Sequence, residues 1–138
     1  MKIKQKKFGK LKSGEEVIKY LLINDKIQVN VLNYGGIITE IYAPDKQDQK
    51  ENVVLGFDNI RDYENKSPYF GAITGRIAGR IENAKFNLKG SEYHLAKNEG
   101  EHNLHGGLVG LDKRICKVKK IESGIELNYF SPHLEEGF

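Results

Sequence analysis

The sequence predicts an all-β chain, and three observations carry that reading. Apolar residues come in short runs rich in β-branched and aromatic side chains. Glycine, proline or wholly polar stretches separate those runs. No long amphipathic helix, internal repeat or low-complexity segment appears.

Lys2, Lys4, Lys6, Lys7, Lys10 and Lys12 open the chain as a solvated first strand or arm. A basic start can introduce a signal peptide, but no apolar core follows this one. Leu21-Leu22-Ile23 is the longest apolar stretch nearby and is far too short to cross a membrane. Val17 to Asn24 reads as a β-branched, leucine-rich strand. Ile27, Val29 and Val31 alternate with Gln28, Asn30 and Leu32, which suits a half-buried strand with one apolar face. After a break at Gly35-Gly36, Ile37 to Ala43 forms the next strand, and Pro44 stops it for want of an amide. Asp45 to Glu51 is wholly polar and reads as a loop; Val53-Val54-Leu55 reads as a short buried strand. Asn59 to Asn65 allows one helical turn, which Pro68 keeps from extending. Phe86 to Leu88 and Tyr93 to Leu95 flank Lys89-Gly90-Ser91 as a hairpin. Ile115 to Ile121 and Ile125 to Phe130 flank Ser123-Gly124 as a second.

The chain then stops at Glu135-Glu136-Gly137-Phe138, directly after a strand. A sheet ended there leaves unpaired edges that attract other strands. The sequence therefore predicts one domain, residues 1–138, that is part of a larger sandwich and prone to self-association through open sheet edges. The 138 residues are 38% hydrophobic and 30% charged, a soluble, globular balance. The net charge of +3, from 22 basic and 19 acidic residues, is too small and interspersed for a nucleic-acid partner. Cys116 has no partner for a disulfide, so a reducing, cytoplasmic location is expected.

Candidate chemistry lies between residues 67 and 112. Glycines recur at 71, 75 and 79, but the Gly-Lys-Ser/Thr ending of a phosphate loop is missing. Arg76 and Arg80 stand four apart among apolar residues. Each fits either a structural anchor on a carboxylate or carbonyls, or a fork that grips neighbouring sugar oxygens. His94 and His102 read as exposed loop residues. His102-x-x-His105 lacks an evident third ligand, so no metal site is expected. His105 sits between Leu104 and Gly106-Gly107, where a tight turn would fix its ring. It is either a turn with a histidine in it or an imidazole that donates to a ligand while its other nitrogen is oriented.

These residues carry a resemblance. "NYGGIITEIYAPD", "NVVLGFDNIRDYENKSPYFGAITGRIAGRIENAKFNLKGSEYHLAKNEGEHNLHGGLVGLDK" and "SPHLEEGF" together resemble the N-terminal portion of the galactose mutarotase (aldose 1-epimerase) family. The nested Gly-Arg-x-Ala-x-Arg-Ile, Asn-Leu-His-Gly-Gly and Gly-x-Asp-Lys motifs are specific, and the match runs from about Leu32 to the end. The resemblance implies part of a large antiparallel β-sandwich, the galactose mutarotase-like supersandwich, substantially longer than this chain. It implies interconversion of the α and β anomers of aldohexoses such as galactose and glucose, with a small-molecule hexose as partner and no cofactor. In the family a glutamate takes the anomeric proton and a histidine protonates the ring oxygen, which is general acid–base catalysis.

By the same resemblance, Arg80 matches the arginine that hydrogen-bonds the sugar, and His105 the first active-site histidine, which contacts sugar in a supporting role. Gly79 stands where the family usually has asparagine, which removes one side chain that could bond a hydroxyl. Leu111 replaces an aromatic, and His133-Leu134 replaces Asp-Gly ahead of Glu-Glu-Gly. The family's second histidine, its aspartate and its glutamate base lie beyond the equivalent of Phe138. Glu135 and Glu136 match the family's own Glu-Glu-Gly, not the base. The isolated chain is therefore expected to be inactive or nearly so. Three readings follow: the N-terminal part of an aldose 1-epimerase, a non-catalytic carbohydrate-binding remnant, or an inactive fragment of a truncated gene.

Overall fold

The computed structural model describes all 138 residues. Strands β1 (Lys2–Lys10), β2 (Glu16–Ile23), β3 (Gln28–Leu32), β4 (Ile38–Pro44) and β5 (Lys50–Asn52) form one antiparallel sheet in sequence order. Helix α1 (Ile60–Asn65) follows, and then β6 (Arg80–Ile81), β7 (Lys85–Leu88), β8 (Ser91–His94), β9 (Asn103–Leu104), β10 (Lys117–Ile121) and β11 (Gly124–Asn128). These make three two-stranded antiparallel ladders: β6 with β9, β7 with β8, and β10 with β11. The architecture is all-β, as the sequence predicts, with one short α-helix capped by the Asn59 side chain on the Asp62 amide and three single-turn 3-10 helices.

The main core gathers Leu11, Val17, Leu32, Tyr34, Ile37, Ile60 and Tyr63, so α1 seals one end of the sheet. A second, smaller core holds Ala84, Leu95 and Phe138 against Ile81 and Phe86. The chain exposes 8819 Å². A compact monomer of its 15.7 kDa would expose about 7,300 Å². The excess includes Val53, Leu55 and Phe130, at 67%, 74% and 85% exposed.

Asn30, on the expected polar face of β3, is buried, against expectation. Asn30 is 4% exposed and donates to Glu40, which also accepts from Thr39. Lys19, 5% exposed, reaches both Glu40 oxygens at 3.2 Å and lies 4.6 Å over the Phe8 ring. Burial opposes the Glu40 charge, but the bonds from Asn30, Lys19 and Thr39 prevail and hold its carboxyl below the usual range. Removing the carboxylate leaves a buried, unpaired ammonium. Glu40→Ala should therefore cost about 3 kcal/mol in a urea melt, and Lys19→Met with Glu40→Ala should recover most of it. A double variant as unstable as the single one would show that the pair is not what the change breaks.

Three local expectations need correction. Val53 and Leu55 are exposed, because they follow β5 at the open side of β4, where no element covers them. The strand there is the preceding polar Lys50–Asn52, which overlaps the loop predicted over Asp45 to Glu51. In the last hairpin the turn is Glu122-Ser123, and Gly124 pairs with Ile121 inside the ladder. The Lys89-Gly90 turn fits its hairpin, with both residues at positive φ (51° and 84°), as a primed two-residue turn requires. At the sheet's outer edges stand lysine-rich β1, largely solvated as expected, and the short, fully exposed β5.

Candidate functional site

Strand β9 runs into the turn at His105. His105, Gly106 and Gly107 all have positive φ, at 54°, 97° and 106°. Only glycine fits at 106, since a Cβ there would lie 1.6 Å from the Gly75 carbonyl oxygen. Asn98 fastens the turn from outside. Its amide donates to the carbonyls of Leu104 and Gly107, each at 2.9 Å, and its oxygen accepts from the Leu104 amide at 2.7 Å.

Two hydrogen bonds join His105 to Gly79. The His105 amide donates to the Gly79 carbonyl, and the Gly79 amide donates to His105 Nδ1, both at 3.0 Å. A nitrogen that accepts carries no proton, so the neutral ring is protonated on Nε2. The imidazole therefore offers one donor, Nε2–H, away from Gly79. The Tyr69 ring packs edge-on at 4.8 Å between centroids and limits the ring's swing.

The β6–β9 ladder sets Arg80 opposite Leu104, which brings Arg80 next to the His105 turn. Arg80 is exposed and forks onto both oxygens of Glu99. The guanidinium holds the Glu99 carboxyl below the usual range. Nothing in the sequence singled out Glu99 or Tyr69, whose contacts depend on folding. The structure thus brings Gly79, Arg80 and His105 together at one end of the short β6–β9 ladder.

Arg76 is an anchor. It donates to Ser131 Oγ at 2.9 Å and to the Pro132 carbonyl at 2.8 Å. His102 is partly buried and accepts from the Asn83 amide through Nδ1, and His94 is exposed beside Glu92. No group of three or more His, Cys, Asp or Glu side chains is placed to hold a metal ion. Asp112 is 8% exposed with one oxygen unpartnered, and burial pushes its carboxyl up. Burial, with Asp112 and Glu64 nearby, pushes the Tyr34 phenol up to about 12. Burial likewise raises the Tyr69 phenol and the half-buried Cys116 thiol. No helix is long and apolar enough to cross a membrane.

Comparison with known proteins adds a second line. A model of the family described as aldose 1-epimerase matches residues 19–138. Galactose mutarotase of Sus scrofa is 42% identical over 132 residues, and that of Homo sapiens is 39% identical over the same length. Each alignment takes in 95% of this chain and 39% of the relative, so the chain spans about two fifths of the length of the curated relatives it matches. Among solved structures, a galactose 1-epimerase from Lactobacillus acidophilus NCFM superposes with a TM-score of 0.82 at 25% identity, over 98% of this chain and 40% of that one. An aldose epimerase homologue from C. elegans gives 0.78 at 28% identity, over 85% and 37%.

Proposed function

Because the chain belongs to the aldose 1-epimerase family, we propose that it is the sugar-holding N-terminal portion of a mutarotase-like sandwich that interconverts the anomers of aldohexoses such as galactose and glucose. Residues 1–138 act within that sandwich as one unit. Arg80 and His105 grip the substrate, and Gly79 orients the imidazole. The general acid and the general base come from outside these residues. The reaction takes the anomeric proton and protonates the ring oxygen as the C1–O bond opens to the aldehyde, and closure from the other face inverts C1, so no redox cofactor is needed. The unpaired Cys116 thiol fits a reducing compartment such as the cytoplasm.

The observation that carries this reading is the tautomer of His105. With Nδ1 engaged by the Gly79 amide, the ring can only donate from Nε2, and a sugar hydroxyl or ring oxygen accepts such a bond. Arg80 lies beside it with a planar fork that matches two neighbouring oxygens, once Glu99 shares or releases it. Arg80 projects from the β6–β9 ladder and His105 from a turn whose amide is tied to the Gly79 carbonyl, which limits the ordering cost of binding.

The test is a titration of the ¹⁵N-labelled chain with galactose. Sugar-dependent shifts should appear at the His105 ring and the Arg80 guanidinium. His105→Ala should abolish them at the remaining residues of the ladder. Shifts that persist unchanged in His105→Ala would place the sugar elsewhere and overturn the assignment.

A further inference from the structure

We propose that Glu136 is a positioning residue for His105, a buttress delivered by the last residues of the chain. This inference rests on the sugar-holding role of His105 and adds what keeps that histidine in place. Oε2 of Glu136 accepts from the Leu108 amide at 2.7 Å, across a sequence separation of 28. The Glu136 carbonyl accepts from the Ala96 amide at 3.0 Å, two residues before Asn98. One residue therefore ties together the two segments whose meeting makes the turn.

Gly107 fits the same account. A Cβ on Gly107 would lie 2.3 Å from Glu136 Oε2. The glycine leaves room for the carboxylate to reach the next amide. Glu136 itself has a φ of 53°, an uncommon backbone state for a residue with a side chain. Such a state persists where the surroundings over-determine it. The surroundings here do so. Glu135 is gripped by Arg114 at 2.8 Å and by the hydroxyls of Tyr129 and Ser131, while Phe138 is buried in the second core. Arg76 holds Ser131 and Pro132. Adjacent glutamates thus have different partners: Glu135 anchors the tail and Glu136 braces the histidine turn.

The experiment compares Glu136→Ala and Glu136→Gln in the 138-residue chain by NMR. In Glu136→Ala, exchange of the Leu108 amide with solvent should rise at least about tenfold, because its charged acceptor is gone. The His105 ring nitrogens should leave the single Nε2–H signature and average between tautomers, while the amides of β1 to β4 stay in place. Glu136→Gln keeps an acceptor oxygen and should restore the His105 signature. A Glu136→Ala chain whose β1–β4 amides are native and whose His105 nitrogens are unchanged would overturn the proposal. So would a failure of Glu136→Gln to rescue, or Glu136→Ala unfolding the chain while Glu136→Gln leaves the His105 signature lost. None of these readouts uses sugar. A chain in which Glu136 governs the His105 tautomer but galactose shifts nothing would sustain the brace and remove the sugar-holding role.

Discussion

Fresh α-galactose mixed with the pure 138-residue chain should lose optical rotation no faster than in buffer. The reaction needs one group to take the anomeric proton and another to deliver a proton to the ring oxygen. Each such group is worth about 10²–10⁴-fold, so a chain without both forgoes about 10⁴–10⁸-fold. Three titratable groups near His105 are poorly suited to either task. Glu99 is clamped by Arg80 and held as a weaker base than usual. Asp112 is only 8% exposed, which keeps its carboxyl, pushed up by burial, largely out of a ligand's reach. The Tyr69 phenol is raised further from neutrality by burial. Polarimetry settles the matter: acceleration above about tenfold over buffer would mean that an acid–base pair exists within these residues.

The second large effect is on stability. Gly106→Ala should be the most damaging single methyl that can be added near the site. Its φ of 97° is strained for alanine, and the new Cβ would sit 1.6 Å from the Gly75 carbonyl oxygen. That oxygen is backbone and cannot swing aside; it also accepts from the Leu111 amide at 3.2 Å. Strain of about 1–3 kcal/mol and overpacking of a similar size combine to about 4 kcal/mol. Against a total of about 5–15 kcal/mol for a domain, Tm should fall by more than about 10 °C. Gly90→Ala is the control. It has a φ of 84° but nothing within 4 Å of the added Cβ, so it should cost only the strain, about 1–2 kcal/mol. Equal losses for the two variants would show that the contact with Gly75 does not govern the site.

Much of the sheet is legible in the sequence because strand signals are local. Alternation of Val29 and Val31 with polar neighbours, and the stops around Asp45, locate strands without knowledge of their partners. What they pair with is not local, and the errors lie there. Asn30 looks like an outward polar residue until Lys19 and Glu40 arrive on neighbouring strands and make a buried polar cluster of it. Val53 and Leu55 look buried because apolar residues usually are, yet nothing packs over them. At the site, His105 and Arg80 could be singled out from their motifs. The group that fixes the imidazole is the amide of Gly79, and a backbone amide has no signature in a sequence. The missing side chain at position 79 predicts a lost contact, while the main chain at that position makes two. Glu99, Tyr69 and Glu136 are ordinary residues by type, and the closing of the β6–β9 ladder and the docking of the tail give them their places.

The bond between Glu136 and the Leu108 amide spans 28 residues, and that span sets an order of events during synthesis. At the ribosome, about 5–20 residues are added each second, so Leu108 is made about 1–6 s before Glu136 exists. The five-stranded sheet, complete by Asn52, can form while later residues are still being joined. The histidine turn cannot reach its final shape in that interval, because its brace has not yet been translated. A nascent chain released early would carry a finished sheet beside an unset site, and a ligand that selects the set turn would report when the tail docks.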